Sequence, residues 1–220
     1  MRRPARRPSN APLRMLLEVV LLLSATPRAY AQRRCHLGDV RQSDGSFRLG
    51  GCDELLLFGE SIGDDGAEAL AKSLGSDRSL KLLDLWSNNL GPRGAAAIAR
   101  AVATNTVLQK LYLNENHLGP EGAKNMADAV VENRVLQSLW LSRNGIGDAG
   151  ADALAAALSN GRARRLEALD LWGNGISPRG GKALAAALHT NRALRTLELR
   201  DNGMSNLPTL CAQLCADSLA

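Results

Sequence analysis

Residues 80–90 read L-K-L-L-D-L-W-S-N-N-L, with leucines at positions 80, 83, 85 and 90 and an asparagine at position 88. The same pattern, L-x-x-L-x-L-x-x-N-x-(L/I/M), begins again at Leu108, Leu136, Leu166 and Leu194, at successive spacings of 28, 28, 30 and 28 residues. A degenerate copy begins 28 residues before Leu80, at Cys52. Recurrence at a fixed period indicates a repeat protein, so residues 52–220 are predicted to form six repeats that start near 52, 80, 108, 136, 166 and 194.

Each repeat changes its hydrophobic period midway. Leu83 and Leu85 alternate as in a strand, whereas Ile98, Ala99 and Val102 recur at helical spacing. The repeat is therefore predicted to be strand, turn, helix, turn. One such unit leaves its apolar face uncovered, but stacked copies share a core of leucine and alanine, and their strands align as a parallel sheet.

The repeats resemble the ribonuclease-inhibitor-type leucine-rich-repeat family, and they are similar to the repeat regions of NOD-like receptors. The resemblance rests on the in-register pattern and on the signature N-x-(I/L)-G-x-x-G-A at residues 116–123 and 144–151. It implies an α/β solenoid, a curved horseshoe with parallel strands on the concave face and helices on the convex face. It also implies protein binding as the usual role. With six copies the array is shorter than typical family members and can enclose less of a ligand, so ribonuclease inhibition is not expected. GTPase activation is not expected either, because it would need catalytic contacts outside the repeat signature.

Residues 1–31 are predicted to be a signal peptide. Arginines precede an apolar run at residues 15–25, and Ala29-Tyr30-Ala31 offers a small-x-small cleavage site. The chain is therefore expected in the secretory pathway or outside the cell, with a cytoplasmic or organellar location as the alternative. No stable membrane span is expected, because the run is shorter than the roughly 20 residues that cross a bilayer.

The basic character of the chain resides in this leader. The whole chain carries a formal charge of +5, but without residues 1–31 it has 21 basic and 21 acidic residues. No basic stripe remains of the kind that neutralises phosphates, so nucleic acid is not an expected partner.

Four cysteines flank the central repeats, and they permit three disulfide connectivities. Cys35 lies in the N-terminal flank, residues 32–51, and Cys52 opens the first repeat. A bond between these two is the favoured pairing, as a clasp on the first repeat, while the alternative makes Cys52 an ordinary small core residue. Cys211 and Cys215 lie four residues apart near the C-terminus, a spacing that would strain a bond within a helix.

Two sets of repeated residues are predicted to be structural. An asparagine in each regular repeat follows the strand and can satisfy backbone groups at the turn. A glycine follows at the start of each helix, in three repeats just after a proline. The asparagines are Asn88, Asn116, Asn144, Asn174 and Asn202, and the glycines are Gly94, Gly122, Gly150 and Gly180.

Strand alternation defines the candidate site. If Leu83 and Leu85 point into the core, the residues between them point to the concave face. Large apolar side chains held outward favour a binding surface, and acidic neighbours suit a partner with Lys or Arg. All three tryptophans fall on this face. The predicted partner-binding residues are Phe58, Asp84, Trp86, Tyr112, Asn114, Trp140, Asp170, Trp172, Glu198 and Arg200, with Leu56 and Ser142 beside them.

No catalytic site, metal site or cofactor is expected. His36, His117 and His189 occupy unlike positions in the repeat, so they do not converge as metal ligands or as a base with its partner. The favoured function is a non-enzymatic protein-binding module.

Two alternatives stay open. One is a carbohydrate or microbial-surface receptor that stacks sugars on the tryptophans. The other is a structural solenoid that associates with itself through its C-terminal end, where no polar cap follows Leu207, Leu210, Leu214 and Leu219. The two extra residues between the fourth and fifth repeats, near the arginines at 162, 164 and 165, are expected to form a solvated bulge.

Overall fold

The computed structural model describes residues 33–204, apart from the side chain of residue 160. Within this part of the chain, seven strands form one sheet in chain order, and every neighbouring pair is parallel. The strands are β1 (Arg34–Cys35), β2 (Glu54–Leu56), β3 (Leu82–Asp84), β4 (Lys110–Tyr112), β5 (Ser138–Trp140), β6 (Ala168–Asp170) and β7 (Thr196–Glu198). The helices are α1 (Leu37–Val40), α2 (Gly63–Leu74), α3 (Pro92–Thr104), α4 (Gly119–Glu132), α5 (Gly147–Leu158) and α6 (Pro178–Leu188).

The leucine column that the repeat predicts is the centre of the core. Leu55, Leu83, Leu111, Leu139 and Leu169 are register partners on successive strands, and all are buried. The leucine two positions later in each repeat is also buried from β2 to β6. The apolar faces of the helices close the core from one side of the sheet, so the other side is left to the alternate residues of each strand.

Glycine at the start of each helix permits close packing between successive helices. A Cβ on Gly122 would lie 2.7 Å from the Leu118 Cβ and 3.1 Å from the Ala95 Cβ of the preceding helix. Gly150 meets Ala123 in the same way, at 2.8 Å. The predicted position of these glycines in the first helical turn is confirmed, and steric room rather than an unusual backbone angle explains why glycine stands there.

The asparagine ladder has the structural role expected of it. Asn116 is buried, and its side-chain oxygen accepts hydrogen bonds from the backbone N–H groups of Asn88 and Leu90, each at 2.9 Å. Its amide nitrogen donates to three carbonyls, including that of Leu85 in the preceding repeat. Each asparagine thus joins one repeat to its neighbour while satisfying buried backbone groups.

A second asparagine ladder, absent from the sequence expectations, joins the helices to the following strands. Asn105, Asn133 and Asn191 are buried just after α3, α4 and α6. The Asn133 amide donates to the Val102 carbonyl at 2.6 Å, and its oxygen accepts from two backbone N–H groups of its own turn. At the repeat with two extra residues, a 3-10 helix over Ser159–Gly161 replaces this turn and the buried Ala163 stands near the asparagine position.

The N-terminal flank extends the sheet by a strand that the repeat pattern does not predict. Arg34 and Cys35 of β1 pair with Glu54 and Leu55 of β2. The expected disulfide between Cys35 and Cys52 is present, and it closes a separation of 17 residues. Cys211, Cys215 and the predicted signal peptide lie outside the described residues. Among residues 33–204, no helix is long and apolar enough to cross a membrane.

Candidate functional site

The side of the sheet opposite the helices carries two rows of side chains, which we call the strand face. The central row runs in register through Leu56, Asp84, Tyr112, Trp140, Asp170 and Glu198. The outer row stands two residues further along the chain, just past the end of each strand, and consists of Phe58, Trp86, Asn114, Ser142, Trp172 and Arg200. The structure therefore brings all the predicted partner-binding positions to one face of one sheet.

Five aromatic side chains occupy the strand face, and four of them contact one another in two pairs. The rings of Tyr112 and Trp140 stack with centroids 4.3 Å apart and planes inclined by 26°. Phe58 and Trp86 meet edge to face with centroids 5.4 Å apart. These contacts hold the rings in fixed orientations, since both are preferred arrangements of aromatic pairs.

Exposed apolar surface is concentrated at the N-terminal end of the outer row. Phe58 is 60% exposed and Trp86 is 37% exposed, and they are the large hydrophobic residues that stand out most from the described surface. Tyr112, Trp140 and Trp172 are partly buried. The most accessible apolar surface of this face therefore belongs to the first two of the six repeats.

Asn114 lies on this face, but its side chain is buried. Asn114 is 6% exposed and Ser142 is 3% exposed, although both stand in the outer row. The Asn114 side-chain oxygen accepts a hydrogen bond from the Ser142 backbone N–H at 3.2 Å. These two small side chains lie between the larger Trp86 and Trp172 of the same row, so Asn114 joins two strands rather than offering a free contact.

Arg143 belongs to the strand face, although alternation did not select it. Its guanidinium lies over the Trp172 ring, 4.3 Å from the centroid, and 3.9 Å from the Glu115 carboxylate. The residue follows the last strand-face position of its repeat and has a positive φ of 53°, which turns the chain out of the strand. The sequence signal that could have identified Arg143 was the presence of a basic residue at this turn.

The acidic residues of the strand face differ in their partners. Glu198 accepts a hydrogen bond from the Arg200 guanidinium at 2.9 Å, which lowers the pKa of Glu198. Asp84 and Asp170 form no ion pair within the described residues, and each accepts a backbone N–H from the tryptophan two residues later at 2.9 Å. Partial burial raises the pKa of both aspartates, and its effect is larger than the opposite effect of this hydrogen bond.

Tyr112 lies beside one of these unpaired acids. Its pKa is raised, first by burial and then by the negative charges of Asp84 and Glu54. The neutral phenol is thus retained at physiological pH, and the ring is available for packing and its hydroxyl for hydrogen bonding.

The three histidines lie on different parts of the chain. His36 precedes α1, His117 precedes α4 and His189 follows α6, and all three are exposed. Within residues 33–204, no group of three His, Cys, Asp or Glu side chains is arranged to hold a metal ion. The chemistry that the strand face itself offers is recognition by aromatic packing, ion pairing and hydrogen bonding.

Comparison with known proteins identifies the repeat. A family model described as Leucine Rich repeat matches residues 76–99, 104–127, 132–155 and 164–185. No curated protein sequence matches the chain.

Two solved structures are similar to the chain. The C-terminal domain of tropomodulin from Caenorhabditis elegans is 12% identical, with a TM-score of 0.53 over 63% of this chain and 83% of that one. A structure of the leiomodin-1 actin-binding site 2 is 16% identical, with a TM-score of 0.48 over 76% of this chain and 80% of that one. The predicted α/β leucine-rich-repeat solenoid is confirmed by the matched repeats and the parallel sheet.

Proposed function

We propose that the protein is a non-enzymatic binding module that recognises another protein through the strand face. The observation that carries this proposal is the placement of the rings. Five aromatic side chains stand opposite the helices, whereas the core column beside them is built from leucine. A ring that served only to fill the core would occupy a leucine position.

The energetics of the rings support a covered surface. Phe58 and Trp86 leave apolar area in water that a partner would remove, and burying such area is worth about 25 cal/mol per Å². Aromatic side chains are enriched among the residues that dominate binding energy. Because the stacked and edge-to-face contacts already restrict these rings, little side-chain entropy is lost when a partner binds.

The proposal is tested by capture from extract and from culture medium. The full chain is compared with a variant that combines Trp86→Ala, Trp140→Ala and Trp172→Ala. A second variant, Phe58→Ser with Trp86→Ser, changes only the two most exposed rings and so disturbs the fold least. The control replaces exposed helix-side residues by Arg100→Ala, Lys124→Ala and Lys182→Ala.

A protein retained by the wild type and the helix-side control, but lost by both ring variants, is the expected result. Circular dichroism and urea midpoints must show that each variant is folded. Equal capture by the wild type and the folded ring variants would refute the proposal, and so would capture that depends on the helix-side residues.

Glycan recognition is the weaker alternative, because side chains of the protein itself already cover much of the aromatic surface. Tyr112 and Trp140 stack on each other, and Arg143 covers one face of Trp172. Sugars that stack on tryptophan need free ring faces. Glycan-array binding that is lost on Trp86→Ala would favour this alternative over a protein partner.

Self-association has one supporting observation at the last described strand. Leu197 of β7 is only partly buried, whereas its register partner Leu169 is 1% exposed. A second copy that covers this end would give concentration-dependent dimers in analytical ultracentrifugation. A monomer at all concentrations would exclude this arrangement.

Secretion is a further part of the proposal. The Arg-rich, apolar leader and the disulfide between Cys35 and Cys52 support it, because disulfides persist in oxidising compartments. Expression in cultured cells, followed by N-terminal sequencing of protein from the medium, is expected to show cleavage after Ala31. Retention of an uncleaved chain in the cytoplasm would contradict it.

A further inference from the structure

The tetrapeptide Leu-Asp-Leu-Trp occurs twice, at residues 83–86 and 169–172, and its two copies bracket the stacked aromatic pair. In the central row the register partners run Asp84, Tyr112, Trp140, Asp170. Each aspartate therefore has an aromatic neighbour on the adjacent strand and a tryptophan two residues later in the chain, just past the end of its own strand. The result is a symmetric arrangement with one carboxylate at each end of the ring pair.

Each of the two carboxylates has fewer partners than a carboxylate can accept. Each accepts one backbone N–H, at 2.9 Å, and neither forms an ion pair within the described residues. Both are partly buried, and burial disfavours the ionised form of each. The charges of Glu198 and Arg200 also act on Asp170, in opposite directions. By contrast, the neighbouring Glu198 already has Arg200 as its partner.

The separation of the two aspartates follows from the sheet. They stand on β3 and β6, three strand spacings apart, which corresponds to about 14 Å. This distance exceeds the screening length of about 8 Å at physiological ionic strength, so the two charges act independently. Each carboxylate thus offers a separate position for one cation.

We propose that Asp84 and Asp170 receive two cationic side chains, lysine or arginine, of a single basic segment of the protein partner, while the partner covers Tyr112 and Trp140 between them. This inference rests on the proposed function and names the chemistry of the partner. Charge complementarity carries it, because the unpaired acids lie beside rings that attract cations and pack against long aliphatic stems. An extended segment spans the distance with cationic residues four positions apart, since four residues cover about 13 Å.

Two peptides of identical composition test the spacing. Acetyl-Arg-Ser-Leu-Ser-Arg-amide places its arginines four positions apart, whereas acetyl-Ser-Arg-Leu-Arg-Ser-amide places them two apart, about 7 Å when extended. Fluorescence polarisation of labelled peptides on the full chain measures both affinities. We expect the wild type to bind the first peptide about tenfold more tightly, because only that peptide engages both carboxylates at once.

The variants Asp84→Asn and Asp170→Asn keep the shape of the side chain and remove its charge. Each is expected to abolish the preference between the peptides, whereas Asp128→Asn, at an exposed helix-side position, is expected to leave it intact. Equal affinities in the wild type, a preference that survives either strand-face substitution, or no binding of either peptide at millimolar concentration would overturn the inference.

The outcomes separate this inference from the proposed function. A partner that is captured through the tryptophans but binds Asp84→Asn and Asp170→Asn as tightly as wild type would overturn the two-cation inference and leave the binding module standing. Peptide discrimination without any ring-dependent protein partner would overturn the proposed function alone.

Discussion

Replacing Asn116 by alanine tests the ladder that holds the strand face in shape. The side-chain oxygen accepts two buried backbone N–H groups, those of Asn88 and Leu90, each at 2.9 Å. A buried donor left without a partner costs about 1–3 kcal/mol, so the substitution is expected to lower the free energy of unfolding by about 4 kcal/mol. Since domains of this size are stable by about 5–15 kcal/mol, the loss is a large fraction of the total.

Urea unfolding followed by circular dichroism measures this loss, with two controls. Asn114→Ala removes one acceptor, for a backbone N–H at 3.2 Å, and is expected to cost about 1–2 kcal/mol. Asn125→Ala, on the helix α4, should be neutral or slightly stabilising, because alanine has the higher helix propensity. A cost below about 1 kcal/mol for Asn116→Ala would refute the view that its bonds are essential to the stacking of repeats.

Three further results are expected. Cys35→Ser with Cys52→Ser should lower the free energy of unfolding by about 3 kcal/mol, and the wild type should lose as much under reducing conditions in thermal melts. Gly150→Ala should destabilise by about 1–3 kcal/mol in urea, because its Cβ would lie 2.8 Å from the Ala123 Cβ; an unchanged midpoint would contradict this packing. The pKa of Asp148 is lowered, mainly by the hydrogen bond that it accepts from the Ser177 hydroxyl. The wild type should therefore be more stable than Asp148→Asn near neutral pH, and this advantage should shrink as the pH falls below about 4. An advantage that persists at lower pH would contradict this role of Asp148.

The fold could be predicted from the sequence because each repeat shows both the hydrophobic period of a strand and that of a helix. The leucine spacing predicted the strands and their register, and the asparagines after them predicted the ladder. The second ladder, at Asn105 and Asn133, was equally visible at a spacing of 28 residues, but its role depends on carbonyls of the preceding repeat. Strand β1 was missed because residues 32–51 carry no copy of the repeat pattern.

The candidate site was less accessible to sequence reasoning. Alternation states to which side of a sheet a residue points, but not whether water reaches it. Asn114 points to the strand face and is nonetheless buried between larger neighbours. Arg143 lies at a turn beyond the alternating positions, and only the packed structure places its guanidinium over Trp172. The difference between the paired Glu198 and the unpaired Asp84 likewise depends on side-chain geometry.

Hydroxyl-radical footprinting of the protein with its captured partner tests the strand-face proposal most directly. Mass spectrometry would compare the oxidation of Trp86 and Tyr112 with that of His189, which is exposed at the end of α6. We expect the partner to reduce oxidation of the two strand-face rings in proportion to the bound fraction and to leave His189 unchanged. Unchanged oxidation of the rings in a saturated complex, with protection confined to the helices, would contradict the proposal that the strand face is the binding surface.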